Sequence, residues 1–287
     1  MSSTLTHNND TVYPFVRKAS GELERFIPNK LADSLRSAGA DEMLVEEILH
    51  DIISSLSDGI PTRKIYAKAL SQLGRRQKTA SARYRVKNAL MQLGPDGHPF
   101  EVFMGELFAS QGLTVEVSVI LEGASVNHEM DVVATGAGVQ HLVECKYSQS
   151  AVNHVSIQVP LYVHSRVRDI IALREGKSEY DGITFIPWIA TNTRFSSDSL
   201  QYANHYNLSL ISWDYPRGEA LKDLIVSRKL YPVTILSTLG EHEKTNLVQS
   251  GIVTCASLAK QRHVVDGLDL SHRKRDALEQ ELSAILN

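Results

Sequence analysis

The run from Asp131 to Tyr147 restricts the fold more than any other part of the chain. It reads as two apolar strands, Asp131 to Ala134 and Val139 to Tyr147, joined across Gly136-Ala137-Gly138. If Ala137 and Gly138 form a two-residue loop, Gly136 pairs with Val139 and the register is fixed. Counting outward, Asp131 then stands directly opposite Glu144. Directly opposed side chains have Cβ atoms roughly 4.5–5.5 Å apart, so the two carboxylates repel each other. A divalent cation removes that penalty, since Mg²⁺ favours one or two carboxylates plus water and phosphate oxygens. Strand alternation also puts Leu142, Glu144 and Lys146 on one face, a carboxylate beside an amine on an otherwise apolar strand. An isolated E-x-K is commonplace as a solvent-side ion pair. Its alignment with Asp131 is what points to chemistry.

The flanking segments read as α/β structure. A helix from Pro99 to about Ser110 carries the apolar stripe Phe100, Phe103, Met104, Leu107 and Phe108. Glu101 falls at the edge of that stripe and is expected to look inward; Glu106 falls nearer the opposite face and is expected to be solvated. Val115, Val117 and Val119 alternate as in a strand. A helix follows over about 156–173, with Pro160 in its first turn or kinking it. Strands are expected at 183–190 and 208–212.

Four regions result: a flexible tail (1–11), an N-terminal unit (12–94), a mixed α/β unit (98–226) and a short helical unit (230–287). In the N-terminal unit, Tyr13 to Lys18 and Leu23 to Ile27 read as strands around a Ser20-Gly21 turn. Leu44, Val45, Ile48, Leu49, Ile52, Ile53 and Leu56 recur at helical spacing. Gly59-Ile60-Pro61-Thr62 breaks that helix and Thr62 is expected to cap the next. A further helix is expected from about Thr79 to Leu93.

At 287 residues and 43% hydrophobic content the chain can bury two or three cores. A net charge of −3 argues against coating nucleic acid by bulk charge, so any such contact needs a local basic surface. The same near-neutrality keeps an enzyme acting on small molecules open. No apolar run reaches the roughly 18 residues of a membrane span, and MSSTLTHNND has no signal-peptide core, so a cytoplasmic protein is expected. Cys145 and Cys255 have no metal-ligand spacing and read as reduced thiols.

The acidic arrangement resembles the PD-(D/E)xK nuclease superfamily, in particular Mrr-like restriction endonucleases. The matching residues are Glu101 in HPFEVFMGELF, Asp131 in NHEMDVVA, and Glu144 and Lys146 in LVECKYS. Met130 stands where the family usually has proline. The resemblance implies a restriction-endonuclease-like αβββαβ core and matches Gln158 to a glutamine on the next helix. The N-terminal unit resembles an ATP-cone, a β-hairpin plus helices, on Val16, Lys18 and Gly21 in VRKASGELERF and Phe26, Lys30 and Leu31 in FIPNKL. GIPTRKI and ARYRV extend the match, while Ala19 replaces the usual basic residue after the first lysine. This implies ATP or dATP as an allosteric ligand at Val16, Arg17, Lys18, Gly21 and Lys30, with lysines holding the polyphosphate by charge-assisted hydrogen bonds. The C-terminal unit is similar to a helix-hairpin-helix module, with LVQSGIVTCASLA as the hairpin and Lys260, Arg262, Arg273, Lys274 and Arg275 in support. A helical bundle completing the core, or a dimer contact, fits that segment equally well. As a whole, with LYVHSRVRDI, TNTRFSSDSLQYA, SWDYP and LYPVTIL, the chain resembles prokaryotic ATP-cone restriction endonucleases.

The implied activity is Mg²⁺- or Mn²⁺-dependent hydrolysis of DNA phosphodiester bonds. Asp131, Glu144 and the carbonyl of Cys145 would bind the ion, Glu101 would bind or orient water, and Lys146 would orient the attacking water and stabilise phosphate charge. Arg194 reads as a phosphate contact or an ordinary surface arginine. One active site cuts one strand, so double-strand cleavage would imply a homo-oligomer. Two other readings remain: a nucleotide-sensing DNA-binding regulator with an inactive nuclease fold, and an enzyme acting on small nucleotides.

Overall fold

The computed structural model describes residues 13–18, 21–150 and 153–287; the expected tail and Ser20 of the expected turn lie outside them. The chain divides into two compact units, one ending at Tyr84 and the other beginning at Arg85.

In the first unit, β1 (Phe15–Arg17) and β2 (Leu23–Arg25) pair antiparallel, with Val16 opposite Glu24. Gly21 adopts φ +88°, and its N–H closes onto the Lys18 carbonyl at 3.0 Å. That left-handed conformation suits glycine. Helices α1 (Pro28–Ser37) and α2 (Glu42–Ser54) follow, and Asp41 caps α2 by accepting from the Leu44 N–H at 2.8 Å. The segment read as a simple break contains β3 (Ile60–Pro61), which joins β1 in parallel. Pro61, not Thr62, holds the N-cap position of α3 (Thr62–Arg76), and α4 (Lys78–Tyr84) completes the unit. The apolar period of α2 is spent as expected: Leu44, Val45, Ile48 and Ile52 are buried with Leu35, Ile65, Ala69 and Leu73.

The helix expected over 79–93 is broken. α4 ends at Tyr84, and α5 (Val86–Leu90) belongs to the second unit. There α6 (His98–Ala109) leads into β4 (Thr114–Glu122), β5 (Asn127–Gly136) and β6 (Val139–Lys146). β7 (His154–Val155) precedes α7 (Gln158–Arg174), which places Pro160 in the first helical turn. β8 (Thr184–Thr191), β9 (Arg194–Phe195), α8 (Ser197–His205), β10 (Ser209–Ile211) and α9 (Leu221–Ser227) come next. The last stretch carries α10 (Glu241–Gln249), α11 (Cys255–Lys260), α12 (Arg262–Gly267) and α13 (His272–Leu286).

The main sheet has the order β10-β8-β6-β5-β4. β5 pairs antiparallel with β4 and with β6, while β6, β8 and β10 are parallel. Crossovers between parallel strands need a helix, and α7 and α8 supply it. Val163, Val167 and Ile170 of α7 pack against Met130, Leu142 and Ile189 of the sheet. α6 buries Phe100, Phe103, Met104 and Leu107 completely or nearly so. It lies close to β4: a Cβ on Gly105 would come within 2.9 Å of the Val117 side chain.

Residues beyond Leu230 belong to the same compact unit as the sheet. The Thr234 hydroxyl donates to the Ala89 carbonyl at 2.5 Å, and the Thr254 hydroxyl to Glu106 at 2.6 Å. Glu106 is therefore a packing contact of α6 and not the solvated charge expected of it. Among the described residues, no helix is long and apolar enough to cross a membrane.

Candidate functional site

The hairpin between β5 and β6 turns at Ala137 and Gly138, which adopt φ +52° and +75°. Two central residues with positive φ match the twist of the flanking strands. The pairs run from Gly136↔Val139 to Val132↔Val143, and the next step outward sets Asp131 against Glu144. Beyond it, the Cys145 N–H donates to Asp131 Oδ2 at 2.6 Å. Cys145 thus enters the cluster through its backbone, while its thiol is buried.

Glu144 is only 3% exposed and fully partnered. Its Oε1 accepts from Tyr162 at 2.8 Å and lies 2.7 Å from the Lys146 ammonium. Its Oε2 accepts from Arg166 at 2.5 Å, and the same guanidinium nitrogen also reaches the Glu129 carbonyl at 3.1 Å. The Arg166 guanidinium sits 5.2 Å above the Tyr162 ring. Tyr162 and Arg166 are four residues apart on α7 and therefore share a face. Gln158 lies one turn earlier at the first position of α7; it is exposed and is not among the groups that touch Glu144.

Glu101, in the first turn of α6, accepts from the Ser118 hydroxyl at 3.1 Å and lies 3.2 Å from His98 Nδ1. Ser118 sits between Val117↔Val132 and Val119↔Met130, opposite Asp131. Its φ of +55° is unusual for a non-glycine residue inside a strand. Ser118, His98, Tyr162 and Arg166 were not singled out from sequence. The 158–162–166 spacing on one helix face was the signal available for the last two.

The electrostatics single out Asp131. Burial first, then the facing Glu144, push its carboxyl up to about 7; the Cys145 N–H works against this and Glu101 adds to it. For Lys146, burial disfavours the ammonium, but its bond to Glu144 outweighs that and holds it above the usual lysine range.

Two carboxylates form a hard donor set, which suits Mg²⁺ or Mn²⁺ rather than a softer ion. Among the described residues no three of His, Cys, Asp and Glu are grouped to hold an ion by themselves. The residues would fit an ion that takes most of its ligands from water and phosphate.

In the first unit, Lys18 and Lys30 converge on Glu24, whose carboxyl they pull down to about 2, Lys18 first and Lys30 second. Val16 is buried in the core, whereas Arg17 is exposed beside Gly59. In the C-terminal stretch, Lys274 pairs with Glu243 and Arg275 with Asp266. The Arg262 side chain lies outside the described residues. Ser250 and Gly251 turn α10 toward α11, with Gly251 at φ +80° and the Ile252 N–H bonded to the Leu247 carbonyl at 2.9 Å.

Fold and site together define a mixed α/β protein with an acidic and basic cluster on the central strand pair of its main sheet. Residues 231–286 match the family described as AF1548-like, C-terminal. An uncharacterized protein of Archaeoglobus fulgidus is 34% identical over 152 residues, which span 53% of this chain and 81% of that protein. The chain belongs to this AF1548-like family. The crystal structure of the protein of unknown function AF1548 superposes with a TM-score of 0.53 at 28% identity, covering 67% of this chain and 98% of that one. MspJI restriction endonuclease, solved in complex with a 27-mer oligonucleotide, gives a TM-score of 0.34 at 15% identity over 70% of this chain and 39% of its own; that likeness is too slight to carry an argument.

Proposed function

We propose that the protein is a Mg²⁺- or Mn²⁺-dependent endonuclease that hydrolyses DNA phosphodiester bonds and is regulated by ATP or dATP at its first unit. The observation that carries this reading is the opposition of Asp131 and Glu144 on β5 and β6, with Lys146 two residues on and Glu101 acting on the same charge. An apolar sheet gains nothing from facing acids, whereas metal-dependent phosphodiester hydrolysis uses them to hold the cation.

Asp131 and Glu144 would hold the ion. Bound there, it would acidify the attacking water and offset charge on the phosphate. Lys146, kept protonated by Glu144, donates to a phosphate oxygen or the incoming water. Glu101, fixed by Ser118 and His98, orients water on the helix side. Tyr162 and Arg166 fix the Glu144 carboxylate. In the first unit, a polyphosphate would replace Glu24 between Lys18 and Lys30.

One observation favours a second reading. Glu144 is already neutralised by Lys146 and Arg166, as a DNA-binding regulator with an inactive nuclease fold would have it. Incubating supercoiled plasmid with Mg²⁺, Mn²⁺ or EDTA, each with and without ATP or dATP, separates the two. The nuclease reading expects cutting with either ion, none in EDTA, and a rate that changes with nucleotide. DNA retention without cutting under every condition would favour the regulator.

A further inference from the structure

We propose that Lys87, Arg194 and Lys222, gathered around Trp213 at the C-terminal ends of the parallel strands, form a phosphate-binding site that grips the DNA backbone outside the carboxylate cluster. The choice of DNA rests on the nuclease reading; the site itself rests on the geometry that follows.

β6, β8 and β10 are parallel, so Lys146, Thr191 and Ile211 end at one edge of the sheet. Arg194 follows just after β8 and is placed by β9, where it pairs with His154 of β7. Trp213 follows just after β10, and its N–H donates to the Thr193 carbonyl at 3.1 Å, tying the two segments together. The Lys222 N–H reaches the Trp213 carbonyl at 3.4 Å. α5 is drawn to the same edge because the loop after β6 is fastened to the segment that follows α5. Tyr147 donates to the Met91 carbonyl at 2.6 Å and Gln149 to the Gly94 carbonyl at 2.9 Å. The Lys87 ammonium consequently lies 5.6 Å from the centroid of the Trp213 ring.

Arg194 and Lys222 both act on the Lys87 charge here, and Asp214 opposes them. Asp214 pairs with Arg194 at 2.8 Å. The Lys87 ammonium is lowered first by burial, then by Arg194 and Lys222, with Asp214 opposing. Such crowding costs stability until an anion arrives. Arg194 and Lys222 are exposed and can reach a ligand. Arginine and lysine beside an aromatic ring suit a nucleic-acid phosphate, the arginine with a two-pronged hydrogen bond. Because Lys146 ends on the same edge, a strand held here continues toward the carboxylates.

The test is the salt dependence of duplex DNA binding, followed by fluorescence anisotropy in EDTA so that no cutting occurs. Full-length wild type is compared with Lys87→Met, Arg194→Ala and Lys222→Ala. Lys177→Ala serves as control, since Lys177 precedes β8 at the other end of the sheet and pairs with Glu122. Each variant at the site is expected to weaken binding several-fold and to reduce the slope of log K against log[salt] by about 1, while the control changes neither. The two exposed variants keep the test valid if Lys87→Met folds poorly. Wild-type binding with unaltered slopes in Arg194→Ala and Lys222→Ala would overturn the site and leave the nuclease reading standing. Reduced slopes in a protein that never cuts DNA would sustain the site and sink the nuclease. Absence of wild-type binding would overturn both.

Discussion

At Asp131, burial and a facing carboxylate act in the same direction and disfavour the charged form. Its folded pKa of about 7 lies above the ordinary 3.8, so the folded protein holds this proton more tightly than the unfolded chain does. The contribution to stability is therefore fully present below the unfolded value and is lost as pH rises from 3.8 to about 7. Asp131→Asn keeps the acceptor for the Cys145 N–H and removes the charge. In EDTA at pH 8 this variant is expected to be more stable than wild type by on the order of 1–3 kcal/mol, with the advantage vanishing near pH 4. Urea titrations at the two pH values measure it; a variant less stable than wild type at pH 8 would mean that Asp131 is satisfied without a cation. The carboxylates and Lys146 were legible in the sequence because period-2 alternation and one tight turn determine who faces whom. Tyr162 and Arg166 were not, since helical periodicity gives a face and not the strand residue that the face meets. Ser118 was hidden for another reason: nothing in VEVSVI announces a left-handed residue.

Among the elements, the hairpin was the most readable, because Ala137 and Gly138 leave little choice of turn. The supposed helix over 79–93 was the least readable. No glycine or proline marks its break at Arg85. The break arises because the two halves serve different cores: Tyr84 stacks on Tyr66 in the first unit, while Val86, Ala89 and Leu90 are buried in the second. Local pattern does not record such a division of partners. The elements around the site are in turn held by a few buried polar residues. Asn192, fully buried after β8, accepts from the Ser148 N–H at 2.9 Å and donates to the Ser148 carbonyl at 2.7 Å. It thereby fixes the loop that leaves β6 just after Lys146. Asn192→Ala strands both backbone groups, at a cost of about 1–3 kcal/mol, and should lower the Tm by roughly 2–10 °C. Differential scanning calorimetry reads this directly, and an unchanged Tm would show that the loop is held by other means.

For the whole molecule, the division at residues 84 and 85 puts the residues proposed for the nucleotide and those proposed for the metal in separate units. A chain beginning at Arg85 retains the five-stranded sheet and the C-terminal helices, and is expected to fold and melt in one transition. ATP or dATP should raise the Tm of the full chain and leave that of the shorter chain unchanged, because Lys18 and Lys30 are absent from it. A nucleotide-dependent shift in the shorter chain would place the nucleotide elsewhere. The most direct measurement for the account as a whole is the cleavage of supercoiled plasmid in Mg²⁺ or Mn²⁺ by wild type and by Lys146→Ala, prepared identically. Tyr162 and Arg166 still hold the buried Glu144 carboxylate in this variant, so the substitution should leave the fold intact. Metal-dependent nicking by wild type, reduced at least about 100-fold in Lys146→Ala, is the predicted result. Equal nicking by both proteins, or none by wild type with either ion, would contradict it.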